Sequence, residues 1–163
     1  MTIRKATPDD LPALLRIYND EVLRGTATFD TEPRSEEQGK LWLDAHGSPN
    51  RPLYVAAIEG QAVGYVSLST YNPKAAYDGT VELSLYIDRQ HRRQGIAAEL
   101  LTFILDYAAA REDIHAVVSL ITAENTASIR LHEKFGFRHA GTLNEVGYKF
   151  GRLLDVAYYE KLV

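Results

Sequence analysis

The chain has 163 residues, a formal net charge of −4 and no cysteine. A chain of this length can build one sizeable core, and we expect residues 1–163 to form a single domain. Without cysteine, a disulfide scaffold, a zinc–thiolate centre and a cysteine nucleophile are excluded. The negative charge argues against a protein that coats nucleic acid.

The sequence carries no membrane or export signal that we recognise. No apolar run approaches the ~20 residues that a membrane-spanning helix needs, and the first ten residues, MTIRKATPDD, lack the apolar core of a secretory signal. The lack of cysteine is compatible with the reducing cytoplasm. We therefore expect a cytoplasmic protein with no membrane partner, no nucleic-acid partner and no metal.

Hydrophobic periodicity predicts alternating strands and helices along the chain. Thr7 and Pro8 start the first helix, and Ser35 with Gln38 forms a capping box for the second. Gly136 is placed to end the fourth helix. The predicted strands cover 3–5, 53–58, 63–71, 80–87 and 115–122, with two more in 137–163. The predicted helices start at 7, 35, 95 and 125 and end near 22, 46, 110 and 135. This order indicates a mixed α/β fold with a largely antiparallel sheet.

The predicted strand 80–87 leads into a basic segment, RRQGIA at 92–97, that opens the third helix. The free backbone N–H groups at a helix start bind anions. Gly95 lets a ligand approach the backbone, and the arginines add charge. The segment therefore predicts a pyrophosphate site, with a solvated basic turn as the alternative. It matches neither the P-loop pattern nor the dinucleotide-binding pattern GxGxxG.

Two further groups point to proton transfer. Glu82 lies on the polar side of the strand 80–87, where a partly buried carboxylate would accept a proton. A glutamate that faces water is the alternative. The helix 125–135 carries Asn125 and His132. Asn125 alone is explained equally well as a helix cap, and His132 alone as a residue of the helix surface.

Together, these segments resemble the GNAT superfamily of N-acetyltransferases. The segment 92–97 resembles its acetyl-CoA loop, and NTASIRLHEKFGF at 125–137 resembles its pattern NxxSxxL[YH]xxxGF. The segments TFDTEP (28–33), YDGTVELSLYI (77–87) and GYKFGRLLDV (147–156) resemble the phosphinothricin N-acetyltransferase branch. That branch includes acetyltransferases for methionine sulfone and methionine sulfoximine. The resemblance covers about residues 3–162; it departs at Ala97, where glycine is frequent, and the loop 71–77 varies within the branch.

The resemblance implies a GNAT fold, in which a mixed, mostly antiparallel seven-stranded sheet carries helices on both faces. An acetyl-CoA cleft then lies where the central strands splay. Glu82 is implied as the base, acting directly or through a water, and His132 as an acid, a base or a hydrogen-bond donor near the sulfur. The residues implied to bind acetyl-CoA are Leu85, Tyr86, Ile87, Arg92, Arg93, Gln94, Gly95, Ile96, Ala97, Ala98, Asn125 and Ser128. Those implied to bind the acceptor are Phe29, Thr31, Tyr71, Asn72, Lys74, Tyr77 and Lys149.

The implied reaction is a direct transfer of acetyl from acetyl-CoA to the amine of an amino-acid-like substrate. Backbone N–H groups of 85–87 would stabilise the charge that develops on the carbonyl oxygen, and the branch implies a homodimer. Two other functions stay open. An acetyltransferase for protein lysines or N-termini would show an open, acidic groove. A non-catalytic acyl-CoA-binding module would need the loop but not both Glu82 and His132.

Overall fold

The computed structural model describes residues 1–163 and contains seven strands and four α-helices. The strands are β1 (Thr2–Lys5), β2 (Leu53–Ile58), β3 (Gln61–Thr70), β4 (Thr80–Ile87), β5 (Ala116–Thr122), β6 (Arg138–Lys149) and β7 (Arg152–Leu162). The helices are α1 (Leu11–Arg24), α2 (Glu36–Asp44), α3 (Ile96–Ala109) and α4 (Thr126–Lys134). The predicted order of elements and the α/β class are confirmed. None of the helices combines the length and apolar character needed to cross a bilayer.

The strands form one sheet in the order β1-β2-β3-β4-β5-β7-β6. All neighbours are antiparallel except β4 and β5, which are parallel. That parallel pair extends only from Thr80 and Ala116 to Glu82 and Val118. Beyond it, β4 stays paired with β3 and β5 stays paired with β7. The centre of the sheet therefore opens into a V between β4 and β5, as the resemblance implied.

Each face of the sheet carries its own apolar cluster. Tyr65 and Val66 follow one another in β3 and are both almost fully buried, but they point to opposite faces. Tyr65 packs with Leu14 of α1 and Leu53, whereas Val66 belongs to the larger cluster that includes Leu101 of α3. Helices thus cover both faces of the sheet. The V-shaped opening between β4 and β5 lies between the two helical layers.

The predicted start of α2 is confirmed, and the start of α1 differs from its prediction. The Ser35 hydroxyl accepts a hydrogen bond from the Gln38 backbone N–H (3.1 Å), and the Gln38 side chain accepts one from the Ser35 N–H (2.9 Å). This capping box is the predicted one. At the first helix the structure differs slightly, because Pro8–Asp10 forms a single 3-10 turn and α1 begins at Leu11.

Candidate active site

A cleft of about 500 Å³ lies where β4 and β5 separate. It is lined from both layers, by α1, the loop before α2, α2 itself, β3, β4, β5, β7 and α4. Seven of the predicted site residues line it: Phe29, Glu82, Leu85, Tyr86, Asn125, Ser128 and His132. The structure therefore brings the two candidate catalytic residues into one cavity, although they are distant in sequence.

Glu82 is the one carboxylate that lines this cleft. It is the last residue of β4 paired with β5, and it sits opposite Ser69 of β3. Partial burial raises the pKa of Glu82 above the usual range for a glutamate. The raised pKa makes Glu82 a better proton acceptor than an exposed carboxylate, because proton affinity rises with pKa.

The open edge of β4 presents backbone N–H groups to the cleft. The N–H of Asp88 donates to the carbonyl of Val63 on the β3 side (2.9 Å). Because N–H direction alternates along a strand, the N–H groups of Leu85 and Ile87 point to the opposite side, where β5 has diverged. Tyr86 instead contributes its side chain, whose ring contacts those of Tyr18 and Tyr65 at 5.4 Å between centroids.

The predicted anion loop lies immediately before α3. Gly95 has φ +82°, and a Cβ built there would meet no atom within 4 Å, so the backbone at the start of this helix is accessible. Arg93 is exposed, whereas Arg92 donates to the carboxylate of the buried Glu21 (3.0 Å). The two arginines therefore differ: Glu21 neutralises the charge of Arg92, and Arg93 stays available for a ligand. Gln94, Ile96, Ala97 and Ala98 complete the loop and the first turn of α3.

His132 is only 3% exposed and lies inside the cleft wall formed by α4. Its Nδ1 lies 2.7 Å from the Ser128 carbonyl oxygen, which can only accept. The Nδ1 atom therefore carries the hydrogen, and Nε2 presents a lone pair when the ring is neutral. Burial lowers the pKa of His132, so the neutral ring is favoured at pH 7.

The cleft holds two buried polar atoms that no protein group satisfies, Nε2 of His132 and Oγ of Ser119 on β5. Buried polar atoms are seldom left without a partner. Two of them facing one cavity indicate that a polar ligand completes the site. Asn125 uses its side-chain oxygen to cap α4 through the Ser128 N–H (3.2 Å), so only its amide NH₂ is free for a ligand.

Most of the predicted acceptor-binding residues lie outside the cleft lining. Tyr71, Asn72, Lys74 and Tyr77 belong to the loop that joins β3 to β4, next to the Ser69–Glu82 pair. Within that loop, the Tyr71 and Tyr77 rings contact each other at 5.7 Å between centroids. Thr31 is exposed in the loop between α1 and α2. Phe29 from the same loop does line the cleft, and its ring packs where any side chain at Gly147 would collide with it.

The structure corrects the interpretation of Lys149. Its side chain is 3% exposed, does not line the cleft, and donates from Nζ to the Thr28 carbonyl oxygen (2.8 Å). Burial lowers the pKa of Lys149, opposed by the charges of Glu21 and Asp30. Lys149 therefore fixes the loop that carries Phe29, instead of reaching the acceptor itself.

Several cleft residues were missed by sequence reasoning. Ser119 had a local signal, as the polar residue before Leu120 in an otherwise apolar strand. Arg34 and Trp42 had none, because their place in the cleft depends on how the chain around α2 packs against the sheet. Ser69 lies in the cleft because it pairs with Glu82 across β3 and β4. Residues that meet only through tertiary packing are not visible in a single sequence.

Comparison with known proteins gives one consistent family. Residues 3–157 match the model of the acetyltransferase (GNAT) domain. A phosphinothricin N-acetyltransferase of Streptomyces coelicolor is 41% identical, and the match covers 98% of this chain and 94% of the relative. An L-methionine sulfoximine/L-methionine sulfone acetyltransferase of Pseudomonas aeruginosa is 36% identical, and the match covers 98% of this chain and 92% of the relative. The resemblance stated from the sequence is thereby confirmed.

Solved structures agree with these matches. A phosphinothricin acetyltransferase from Sinorhizobium meliloti, solved in complex with AcCoA, is 31% identical with a TM-score of 0.93, covering 99% of this chain and 88% of that one. A ribosomal-protein-alanine N-acetyltransferase from Brucella melitensis is 39% identical with a TM-score of 0.96 over 100% of both chains. The names of these two similar structures thus specify a small-molecule acceptor in one case and a protein acceptor in the other.

The geometry of His132 predicts its protonation state. We expect its pKa below the usual value of about 6.5, because burial disfavours the charged ring, and we expect the hydrogen on Nδ1. Long-range ¹H–¹⁵N NMR spectra recorded between about pH 5 and 8 measure both, with His132→Asn used to assign the signal. A hydrogen on Nε2, or a pKa at or above the usual value, would contradict the assignment.

Proposed function

The chain belongs to the GNAT family of acetyltransferases, and we propose that it transfers acetyl from acetyl-CoA to the amine of a small amino-acid-like acceptor. Phosphinothricin, methionine sulfoximine and methionine sulfone are the acceptors we consider first, because they name the matched relatives. The observation that carries the proposal is the cleft between β4 and β5, which joins Glu82, the open edge of β4 and His132.

The chain's own residues fit acetyl-CoA as the co-substrate. The backbone around Gly95 and the side chain of Arg93 would hold the pyrophosphate, because a helix start with open space binds anions. The free N–H groups of Leu85 and Ile87 would pair with the pantetheine amides, as an added strand does. The amide NH₂ of Asn125 and the unsatisfied Oγ of Ser119 supply further polar contacts inside the cleft.

Glu82 would prepare the nucleophile. An ammonium group has no lone pair, so the acceptor must lose a proton before its nitrogen can attack the thioester carbonyl. Glu82 takes this proton, directly or through a water, and its raised pKa suits the transfer. The backbone N–H groups at the open edge of β4 stabilise the negative charge that develops on the carbonyl oxygen.

His132 would act first as an acceptor. Its neutral ring presents a lone pair at Nε2, so it cannot donate a proton from that atom at the outset. The attacking nitrogen must lose a second proton as it becomes an amide, and the leaving sulfur must gain one. Nε2 can receive the second proton from the nitrogen and pass it to the sulfur. The ring is therefore neutral before and after the reaction. Of the roles that the sequence left open for His132, we therefore propose a base that becomes an acid.

We also propose a cytoplasmic homodimer. The β6–β7 hairpin exposes a cluster of large apolar side chains, which are Leu143, Val146, Tyr148, Phe150 and Leu153. Exposed apolar clusters of this kind mark protein contacts, and a second copy is the partner that the resemblance implies. Light scattering of the full chain distinguishes the dimer from a monomer.

A protein acceptor is the second candidate function. The Brucella melitensis structure, whose name specifies an alanine of a ribosomal protein, favours it at 39% identity. Against it, the cleft is lined by a single carboxylate, Glu82, whereas a groove for basic peptides would be acidic. A peptide with N-terminal alanine must therefore be among the acceptors tested.

The reaction is tested by thiol release from acetyl-CoA. The acceptors are phosphinothricin, methionine sulfoximine, methionine sulfone, common L-amino acids, a polyamine, a lysine peptide and a peptide with N-terminal alanine. We expect turnover with one or more of the first three. Turnover with a peptide alone would replace the proposal by the second candidate, and no turnover with bound CoA would indicate a non-catalytic module.

Glu82→Gln tests the base. We expect kcat/KM at pH 7 to fall by about 10²- to 10⁴-fold, because one positioned base contributes that much, while acetyl-CoA affinity is retained. In the wild type, kcat/KM falls as the pH drops through the raised pKa of Glu82, since the protonated form cannot accept; the variant lacks this dependence. Glu112→Gln, an exposed glutamate outside the cleft, is the control. Unchanged kinetics of Glu82→Gln from about pH 6 to 9 would exclude the role.

Gly95→Trp tests the pyrophosphate site. We expect loss of measurable acetyl-CoA binding in calorimetry, because the indole would fill the open space before α3. Gly60→Trp is a matched control, since Gly60 has nearly the same φ (+81°), also faces open space and lies in the β2–β3 turn. Because the two positions share this positive φ, loss of acetyl-CoA binding in Gly95→Trp alone would point to a ligand contact and not to backbone strain. Wild-type affinity in Gly95→Trp would show that the loop does not bind acetyl-CoA.

A further inference from the structure

Arg34 is the one arginine or lysine that lines the cleft. Its guanidinium lies over the ring of Tyr18, 4.0 Å from the centroid, and over the ring of Trp42 at 4.9 Å. Two aromatic faces therefore hold the plane of the cation. The side chain is half-buried, in the part of the cleft where Tyr65 and Tyr86 also meet.

Apart from these two rings, the guanidinium has no ion-pair or hydrogen-bond partner in the protein. No carboxylate oxygen lies within 4.0 Å of its nitrogens, and its side chain donates no hydrogen bond. Asp30, the neighbouring acid in the loop, accepts from the Tyr18 hydroxyl instead. Arg89 and Arg92, by contrast, both form ion pairs with Glu21. A partly desolvated cation without a counter-ion costs stability, so its retention in a cavity indicates an anionic ligand.

The backbone of Arg34 is fixed independently of its side chain. Asn19 of α1 accepts from the Arg34 N–H (2.8 Å) and donates to the Arg34 carbonyl oxygen (2.9 Å). The next residue, Ser35, is the cap of α2. The guanidinium is thus delivered from a rigid point between two helices, which lowers the entropy lost when it binds a ligand.

We propose that Arg34 binds an oxyanionic group of the acceptor, so that the cleft recognises an amine that also carries a carboxylate or phosphinate. The inference rests on the proposed function, since Glu82 would receive the ammonium group of the same molecule. One cation and one carboxylate lining one cavity complement a zwitterion. The flat guanidinium pairs with two oxygens of a carboxylate or phosphinate at once.

Three acceptors distinguish the source of the oxyanion. Phosphinothricin carries an α-carboxylate and a side-chain phosphinate, methionine sulfone carries only the carboxylate, and the α-amide of methionine sulfone carries neither. For Arg34→Met we expect a KM raised about 10- to 100-fold for acceptors that use the contact, the usual effect of losing a charged hydrogen bond, with a smaller change in kcat. Arg34→Lys, which keeps the charge without the planar fork, should give an intermediate KM.

The change in KM of Arg34→Met across the three acceptors shows which oxyanion Arg34 contacts. A higher KM for both acids but not for the amide assigns the α-carboxylate, and a higher KM for phosphinothricin alone assigns the phosphinate. A KM that is unchanged for all three, or raised equally for all three as a packing defect would do, overturns the proposal. Lys40→Met removes the same charge from the exposed face of α2 and should leave the KM values unchanged.

The experiments distinguish a failure of the Arg34 proposal from a failure of the proposed function. If the wild type acetylates these acids and Arg34→Met is indistinguishable from it, only the role of Arg34 fails. If the wild type acetylates none of them, calorimetric titration of phosphinothricin into the CoA complex still tests Arg34. Binding that Arg34→Met weakens supports the contact without catalysis, and no binding by the wild type rejects both.

Discussion

The short parallel contact between β4 and β5 is the constraint on which the site depends. Three residues of each strand pair, ending at Glu82 and Val118, and the strands then diverge. Each diverging strand keeps an antiparallel neighbour on its other side, β3 for β4 and β7 for β5, so the sheet does not come apart. Beyond Glu82 and Val118, β4 and β5 no longer form backbone hydrogen bonds with each other. The N–H and carbonyl groups left free there are of the kind that would pair with a pantetheine chain and a thioester carbonyl.

The same opening explains the unusual electrostatics of the two candidate catalytic side chains. Glu82 sits at the point of divergence, partly removed from water, and its pKa rises; His132 faces the opening from α4 and its pKa falls. Both shifts favour the uncharged form, and desolvation causes both. A buried site with shifted acids and bases has a cost in stability, which the apolar clusters on either face of the sheet offset.

Local patterns predicted much of this architecture. The alternation of β4 predicted that Glu82 lies on its polar side, and the glycine before α3 marked the candidate anion loop. His132, which alone was explained as a residue of the helix surface, was placed near the cleft by the family resemblance. The remaining features arise from contacts between distant segments. The partner of Arg92 is Glu21, and the partner of Lys149 is a loop carbonyl at Thr28. The sequence shows that a basic residue lies near a motif, but not which acid or carbonyl pairs with it in the folded chain.

The pairing of basic side chains distinguishes the two anion sites that we propose for this protein. At the start of α3, Glu21 forms ion pairs with Arg92 and Arg89, so that the proposed pyrophosphate site would bind through backbone N–H groups with Arg93 as its free charge. At the aromatic end of the cleft, Arg34 has no such acid and is held only by ring faces. A site of the first kind would suit the co-substrate, which is the same for every acceptor. A site of the second kind leaves a full charge to discriminate between acceptors, and it is there that selectivity for amino-acid-like amines would arise.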